Sequence, residues 1–426
     1  MANLERTHYQ PMKFLEGHSD DLPWIVDAHQ LTIPKCPQIF FDSGEPWLAA
    51  NLYAVARLER QTNIKTVLSD MNHLRDYAEW LESEGLDWTY FPIKKKERCL
   101  FKYRGYLICQ RDTGELSPST TSSRMSSVVK FYRWAQAEGL IKSDELWQDR
   151  EKTVHTYNTV GLKRSILVNS SELAIPNRKR PGATLEDGLL PISDSSRKRL
   201  LNFLLKHEMT ELYYMFMVGF FTGARIETIR TLRVSSLDNV FEDPSAINLK
   251  RIPVGPPTQV KTKYGVSGDL LFPALLIEQL KKYAISPRRL VRQARASNDN
   301  QSLLFLTSNG KKYEDNSFTS VMSKLRKKLV SNGLGEFRQL KFHQSRATYG
   351  SQLMLYALKT LKDPQRAIAF VRDAMFHKDE STTWKYITFV QNEPIKEMLS
   401  DEFFHFFGGN DGSELLIEDV TYGSNS

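Results

Sequence analysis

The chain has 426 residues, a length that predicts two or three domains. Lysine and arginine outnumber aspartate and glutamate by 58 to 50, and the resulting net charge of +8 favours a polyanionic partner such as nucleic acid. The cysteines Cys36, Cys99 and Cys109 are too scattered for a disulfide framework or a zinc site, and the longest apolar run, Leu212–Phe221, is too short to span a bilayer. We therefore expect a cytoplasmic globular protein without a membrane segment.

The first part of the chain predicts an irregular segment followed by helices. Residues 1–45 show no sustained periodicity, and the mixed charges of Met1–Gln10 are unlike a signal peptide. Apolar residues follow helical spacing between Thr66 and Glu84 and again between Ser119 and Glu138, and a glycine follows each run. The sequence predicts an irregular N-terminal extension at 1–45 and a helical domain at 46–160.

A segment rich in Ser, Asn, Pro and Gly runs from about 158 to 188 and contains the basic cluster Arg178, Lys179 and Arg180. This composition is typical of a linker, which we place at 161–192. The basic cluster has two interpretations: a solvated surface loop, or a strap along a DNA backbone between two domains.

The second half alternates helical and strand-like patterns. Ser193 and Asp194 cap a helical region that runs from Arg197 to about Leu232. Strand-like stretches follow at 247–254, 259–263 and 269–272, and helical patterns resume from 274 to about 407. The prediction is a mainly α fold with a small β-sheet, with a mixed α/β domain at 193–408 and a flexible acidic tail at 409–426.

Four short patterns in this second half contain chemically capable side chains. They are Thr222–Arg225, Lys261 within Val260–Lys263, His343–Arg346, and His377 followed nine residues later by Tyr386. Taken singly, each is ordinary: a surface arginine, a hairpin lysine, an incidental His-x-x-Arg pair, a packing tyrosine. Their order and spacing as a set are specific.

The ordered set Arg, Lys, His-x-x-Arg, His and Tyr resembles the signature of the tyrosine recombinase (phage integrase) family. The resemblance is strong over about 193–400 and extends to 47–160, which resembles the family's helical core-binding (SAM-like) domain. The sequence departs from the family pattern at Thr228, where an acidic residue is usual, with Glu227 one position earlier. Phe376 stands where the family usually has glycine before the second histidine.

The resemblance implies site-specific DNA recombination, integration or excision, by strand cleavage and religation through a 3′-phosphotyrosine. Guanidinium groups suit a phosphate because they are permanently charged and donate two hydrogen bonds at once. Lys261, or alternatively Lys263, would protonate the departing 5′-oxygen. Covalent attachment conserves the phosphodiester energy, so religation needs no ATP. No metal or other cofactor is implied, because no carboxylate cluster of the kind that two-metal nucleases use lies near these motifs. The implied catalytic residues are Arg225, Lys261, His343, Arg346, His377 and the nucleophile Tyr386.

The implied partner is double-stranded DNA, held in a clamp formed by the two domains. Arg178, Lys179, Arg180 and Lys263 are the candidate DNA contacts. Apolar residues from Ile395 to Phe406 recur at helical spacing; that helix either packs on its own domain or docks into a neighbouring protomer of a homotetramer on synapsed sites. Accessory DNA-bending proteins and a nucleoid-associated location follow from the same resemblance.

Two other functions compete with recombination. A DNA-binding accessory protein could keep the fold without catalysis, and a type IB topoisomerase or hairpin-forming resolvase would use the same chemistry. The sequence leaves open the target site, the direction of recombination, and whether Tyr386 acts in its own active site or in that of a neighbour.

Overall fold

A computed structural model describes residues 1–14, 24–30, 32–141, 146–157, 163–177, 185, 188–243, 246–378 and 382–392. The chain divides into two compact units, 1–181 and 182–426, at a point inside the predicted linker. Within the described residues, no helix combines the length and apolar character needed to cross a membrane. The fold is mainly helical with small antiparallel sheets, which confirms the predicted fold class.

The first unit is a helical bundle flanked by two-stranded ladders. Its elements are β1 (Asn3–Tyr9), β2 (Met12–Phe14), β3 (Trp24–Val26), β4 (Ile33–Phe40), α1 (Leu48–Glu59), α2 (Ile64–Glu84), α3 (Cys99–Asp112), α4 (Pro118–Ala137), β5 (Asp149–Tyr157) and β6 (Lys163–Ser171).

Helices α2 and α4 confirm the two helices predicted from periodicity. The side chain of Asn63 accepts from the backbone N–H of Lys65 at the start of α2, and Ser117 Oγ accepts from the N–H of Thr120 (3.1 Å) at the start of α4. The two helices pack through aromatic side chains, and the hydroxyls of Tyr77 and Tyr132 lie 2.8 Å apart in the core. A shared hydrogen bond satisfies both buried hydroxyls.

The prediction of an irregular extension at 1–45 is wrong. Strand β1 pairs with β4 in antiparallel register, from Asn3 opposite Phe40 to Tyr9 opposite Ile33. Asn51 of α1 fixes this ladder to the bundle, because its side-chain amide both accepts from the N–H of Ile39 and donates to its carbonyl. The pairing joins residues 24 to 37 positions apart, so local periodicity could not reveal it.

The predicted linker also contains regular structure. Strand β5 pairs with β6 over nine positions, from Asp149 opposite Ser171 to Tyr157 opposite Lys163, so the loop prediction is wrong for 163–171. The cluster Arg178, Lys179 and Arg180 lies outside the described residues, and its contact with DNA stays a prediction.

The second unit surrounds a three-stranded antiparallel sheet of order β7-β8-β9 with helices. Its elements are α5 (Asp194–Lys206), α6 (Thr210–Thr222), α7 (Ile226–Ile229), β7 (Phe241–Asp243), β8 (Ala246–Val254), β9 (Gly268–Pro273), α8 (Ala274–Ala284), α9 (Pro287–Ala294), α10 (Asp315–Ser331), α11 (Gln344–Leu361), α12 (Pro364–Ala374) and a helix at 382–392.

Two details of the second unit differ from expectation. The helical region predicted from Arg197 to Leu232 is broken into α5, α6 and α7, because Glu208 and Gly223 both have positive φ. The strand predicted at 259–263 is wrong: this stretch lies in the connection between β8 and β9 and makes only the bridge between Gly255 and Val260 among the described pairings. Pro256 and Pro257 lack the N–H groups that a continuing strand would need.

The apolar interior of this unit forms two separate clusters. We call the larger one the main core; it joins α5, α6, α8, α10 and the sheet through residues such as Phe216, Phe272 and Leu325. We call the smaller one the C-terminal cluster; it joins α11, α12 and the helix at 382–392 through residues such as Met354, Val371 and Tyr386. Tyr386, the predicted nucleophile, is a member of the C-terminal cluster, whereas Ala224 and Val260, which precede Arg225 and Lys261, belong to the main core.

Candidate active site

Arg346 connects two of the predicted motifs. It lies in the first turn of α11 and is 2% exposed. Its guanidinium donates to the carbonyl oxygen of Gly223 (2.6 Å) and to that of Met375 (2.7 Å). These carbonyls precede Arg225 and His377 by two residues each, so one buried cation holds both segments close to α11.

Arg225 is placed by the end of α6. Gly223 ends that helix with φ +64, a left-handed conformation that glycine adopts without steric cost. A Cβ there would lie 2.4 Å from Cδ1 of Tyr349, so glycine also permits the close packing of that ring. Arg225 follows as the N-terminal flanking residue of α7 and is half-buried.

Tyr349 is a second tyrosine next to the predicted site that the sequence did not single out. Burial raises the pKa of its phenol to about 12, although Arg346 acts in the opposite direction. A phenol with a raised pKa is a poor source of phenolate near neutral pH. The Tyr349 ring packs on Gly223, close to Arg346, so Tyr349 is the natural control for Tyr386.

His343 and Arg346 lie on the same side of α11, as the i and i+3 spacing predicts. His343 immediately precedes the first helical residue, Gln344, and is half-buried. The backbone carbonyl of His343 accepts from the N–H of Ala347 (3.2 Å), which places the imidazole at the entry to the helix.

His377 and Tyr386 are neighbours in the structure. Nδ1 of His377 and Oγ1 of Thr383 lie 2.9 Å apart and share a hydrogen bond, which orients the imidazole. The rings of His377 and Tyr386 stack with centroids 5.9 Å apart and planes at 26°. Thr383 is fully buried.

Tyr386 is fully buried in the C-terminal cluster. Its ring packs over Gly350 of α11, where a Cβ would lie 2.4 Å from Cε1 of Tyr386 and 2.7 Å from Sδ of Met375. Gly350 lies one helical turn beyond Arg346, so the tyrosine ring packs on the helix that carries the buried arginine. In this conformation a phosphate in solvent cannot reach the phenol.

Lys261 is exposed and lies in the β8–β9 connection rather than on a strand. Its backbone N–H donates to Oγ1 of Thr231 (2.9 Å), which lies just beyond α7. Lys263 is also exposed, and its ammonium lies 5.3 Å from the ring centroid of Tyr264. Neither lysine lies on a strand, and of the two it is Lys261 whose backbone N–H is bonded to the segment that follows Arg225.

A third lysine, Lys312, lies near Lys261. Burial lowers the pKa of Lys312; Glu314 acts against this, and the cations Lys261 and Arg230 lower the pKa further. Its sequence context, a turn between charged residues, gave no signal of this position.

At Thr228 the family usually has an acidic residue; here the acidic residue Glu227, one position earlier, pairs with a second buried arginine, Arg230. Arg230 is 2% exposed and forms ion pairs with Asp315 (2.6 Å) and Glu227 (3.7 Å), while Thr228 is buried. The shifted acidic residue Glu227 thus lies against a second buried arginine in the turn that follows Arg225.

Within the part of the chain that the structure describes, no three His, Cys, Asp or Glu side chains are grouped as metal ligands would be.

Comparison with solved structures addresses the fold. XerH, a site-specific recombinase bound to a palindromic difH substrate in a post-cleavage complex, superposes with a TM-score of 0.50 at 16% identity, covering 82% of this chain and 84% of that one. This chain has the tyrosine-recombinase fold. No protein-family model matches the sequence, and no curated protein sequence matches it.

Two further neighbours carry related names. The Tn1549 transposon integrase in complex with circular intermediate DNA has a TM-score of 0.46 at 16% identity over 79% of this chain and 94% of that one. A lambda integrase dimer bound to a COC′ core site has a TM-score of 0.48 at 14% identity over 80% and 94%. At these identities the likeness concerns the tyrosine-recombinase fold, and the catalytic residues depend on the geometry described above.

Proposed function

We propose that this protein is a site-specific DNA recombinase that cleaves and rejoins double-stranded DNA through a covalent bond to Tyr386. The observation that carries the proposal is the position of Arg346, whose guanidinium holds the segments of Arg225 and His377 against the helix on which Tyr386 packs. The recombinase fold supports the same reading. The expected assembly is a homotetramer on two synapsed sites, with accessory DNA-bending proteins as further partners.

The chemistry follows from the charges of the site. Attack by the Tyr386 oxygen on the scissile phosphorus forms a P–O bond to the tyrosine and breaks the bond to the 5′-oxygen. Negative charge develops on the phosphoryl oxygens, and preorganised cations stabilise it by roughly 3–4 kcal/mol per donor. Arg225 and Arg346 supply such charge, and His343 and His377 supply further donors.

Two proton transfers complete the step. The phenol proton passes to a base, for which His343 at the entry to α11 is the candidate. The departing 5′-oxygen takes a proton from Lys261, whose backbone is fixed beside the segment of Arg225. Religation reverses both transfers on a new 5′-hydroxyl, so no external energy source is needed.

The burial of Tyr386 adds a requirement to this mechanism. A phenol with no solvent exposure cannot attack DNA, so the helix at 382–392 must move before cleavage. We infer that DNA binding or assembly releases this helix and that the free chain is inactive.

The test is covalent capture on a suicide substrate, a duplex nicked close to the cleavage site. Tyr386→Phe is expected to lower adduct formation by at least about 10⁴-fold, the scale on which loss of a nucleophile acts, while DNA binding persists. Tyr349→Phe is the matched control and should form adduct at the wild-type rate, because this change keeps the ring that packs on Gly223 and removes a hydroxyl outside the ordered set of motifs.

Three outcomes would contradict this reading. An adduct that persists in Tyr386→Phe and disappears in Tyr349→Phe would reverse the nucleophile assignment. A wild-type chain that binds its site and forms no adduct would favour the accessory-protein function. Relaxation of supercoiled plasmid without any specific site would favour a topoisomerase.

A further inference from the structure

Phe376 has a backbone conformation that suits glycine better than phenylalanine. Its φ is +50, in the left-handed region where a Cβ causes steric strain, and it occupies the position before His377. Strain of this kind persists only when surrounding contacts hold it. The contacts of the Phe376 ring therefore indicate what holds this strained backbone in place.

The ring of Phe376 packs on Gly268, the first residue of β9. A Cβ at Gly268 would lie 2.4 Å from Cε1 and 3.0 Å from Cζ of the ring, so only glycine permits this approach. Phe376 is partly buried against the main core, whereas its neighbour Met375 belongs to the C-terminal cluster. The turn before His377 thus bridges the two clusters, and the Phe376 ring is its contact with the main core.

Gly268 is also the far end of the connection that bears Lys261. At the near end, the N–H of Gly255 donates to the carbonyl of Val260 (3.0 Å), and the N–H of Lys261 donates to Thr231. At the far end, Gly268 pairs with Val254 and lies under the Phe376 ring. The lysine connection is therefore held on one side by the segment of Arg225 and on the other by the turn of His377.

A second contact links the same two segments. The ammonium of Lys378 lies 5.8 Å from the ring centroid of Tyr264, which is exposed and has φ +64. Two aromatic rings on strained backbone thus join the lysine connection to the histidine turn.

We propose that Phe376 is a positioning residue that fixes the Lys261 connection relative to His377, so that the Lys261 ammonium can protonate the leaving 5′-oxygen. This inference rests on the proposed function. It explains why a strained phenylalanine occupies the position before His377: glycine would relieve the backbone but would leave the connection without its contact on this side.

The experiment compares two leaving groups on otherwise identical suicide substrates. In one, the scissile phosphate bears the natural bridging 5′-oxygen; in the other, sulfur replaces that oxygen. A thiolate is a far weaker base than an alkoxide and leaves without protonation, so cleavage of the sulfur substrate does not need a general acid. Lys261→Ala should be impaired on oxygen and restored on sulfur.

Phe376→Gly should show the same pattern as Lys261→Ala. Misplacement of a catalytic group by about 1 Å costs on the order of 100-fold, and we expect a loss of that size on the oxygen substrate with near-wild-type cleavage of the sulfur substrate. Phe376→Tyr keeps the ring and should cleave both substrates normally. Phe376→Leu, which removes the ring that lies over Gly268 but keeps an apolar side chain, replaces the glycine variant if that variant does not fold.

Two controls separate positioning from general stability. Lys362→Gly removes another left-handed non-glycine residue, φ +54 at the exposed end of α11, and should leave both substrates unaffected. Gly268→Ala should be impaired on oxygen, and its effect should shrink when Phe376 is already Leu, because the added methyl then meets no ring.

The outcomes are distinguishable. Equal loss on oxygen and sulfur in Phe376→Gly, or no loss on either, would overturn the positioning role while leaving the recombinase function intact. Failure of the wild-type chain to form adduct even with the sulfur substrate would instead overturn the proposed function.

Discussion

The main core and the C-terminal cluster support different parts of the candidate site. Ala224 and Val260, which precede Arg225 and Lys261, are buried in the main core. Tyr386 is buried in the C-terminal cluster, with Met375 of the His377 turn beside it. The residues that precede Arg225 and Lys261 are thus packed in one cluster and the nucleophile in the other. Movement of the helix that carries the tyrosine would therefore leave the packing of Ala224 and Val260 in place.

Arg346 is the strongest test of how the two clusters are joined. Arg346→Lys keeps the charge but replaces two separate donor nitrogens, Nη1 and Nη2, which donate to the carbonyls of Gly223 and Met375, with a single ammonium nitrogen on a different side-chain geometry. We expect the free energy of unfolding to fall by about 2–3 kcal/mol and cleavage to fall on the order of 10²–10³-fold. Denaturant unfolding and adduct formation measure the two effects.

The control for that change is Arg366→Lys, an exposed arginine of α12. It should leave both quantities unchanged. If Arg346→Lys kept wild-type stability, the two hydrogen bonds to carbonyl oxygens would contribute nothing to the free energy of unfolding. Arg346 would then not join the two clusters.

Gly350→Ala tests whether an added methyl group displaces Tyr386 from the C-terminal cluster. The new methyl would lie 2.4 Å from the ring of Tyr386, and overpacking of this kind destabilises by about 1–3 kcal/mol. We expect Tyr386 to become accessible in the free chain. Nitration of Tyr386, followed by mass spectrometry, should be faster than in the wild type, and an unchanged rate would contradict the packing described.

Thr383→Val tests the orientation of His377. Valine keeps the shape of threonine but cannot share the hydrogen bond with Nδ1 of His377. Stability should fall by about 1 kcal/mol, and cleavage by about tenfold, because the imidazole loses the partner that fixes its orientation. Nitrogen NMR of the histidine ring should report a changed tautomer population.

Thr388→Val is the matched control in the same helix, since the Thr388 hydroxyl is exposed and donates only to the carbonyl of Trp384 among its described bonds. An equal loss of cleavage in both valine variants would show that Thr383 has no particular role in orienting His377.

The smallest effect is expected far from either cluster. Gly105 lies on the exposed side of α3, where an added Cβ would meet nothing within 4 Å. Gly105→Ala should raise the free energy of unfolding by about 0.5–1 kcal/mol, because alanine loses less backbone entropy in a helix. Thermal unfolding would measure it, and destabilisation would contradict the open space at this position. Gly350→Ala is expected to change the free energy of unfolding in the opposite direction, so Gly105→Ala is the reference for that variant.

The sequence was sufficient for features that depend on local chemistry. The apolar spacing at Thr66–Glu84 and at Ser119–Glu138, each followed by a glycine, placed α2 and α4 to within a few residues, because helical periodicity and a C-terminal cap depend on neighbouring residues alone. The order of the motifs from Arg225 to Tyr386 predicted the fold, because that spacing is specific to one family. Their catalytic roles remain proposals.

Features that depend on distant contacts were missed. The pairing of β1 with β4 crosses about thirty residues, and no local pattern marks it. The burial of Tyr386 depends on the absence of a side chain at Gly350, and the position of Lys312 depends on a turn packed near Lys261. In each case the partner is a residue whose own sequence context is ordinary.

The acceptors of the Arg346 guanidinium are peptide oxygens, not side chains. Every residue type supplies a peptide oxygen, so replacement of Met375 by another apolar residue should leave that hydrogen bond intact. An arrangement of this kind tolerates extensive change in the neighbouring sequence, provided that the path of the chain is kept. Saturation mutagenesis should accordingly find Met375 far more permissive than the arginine that it binds.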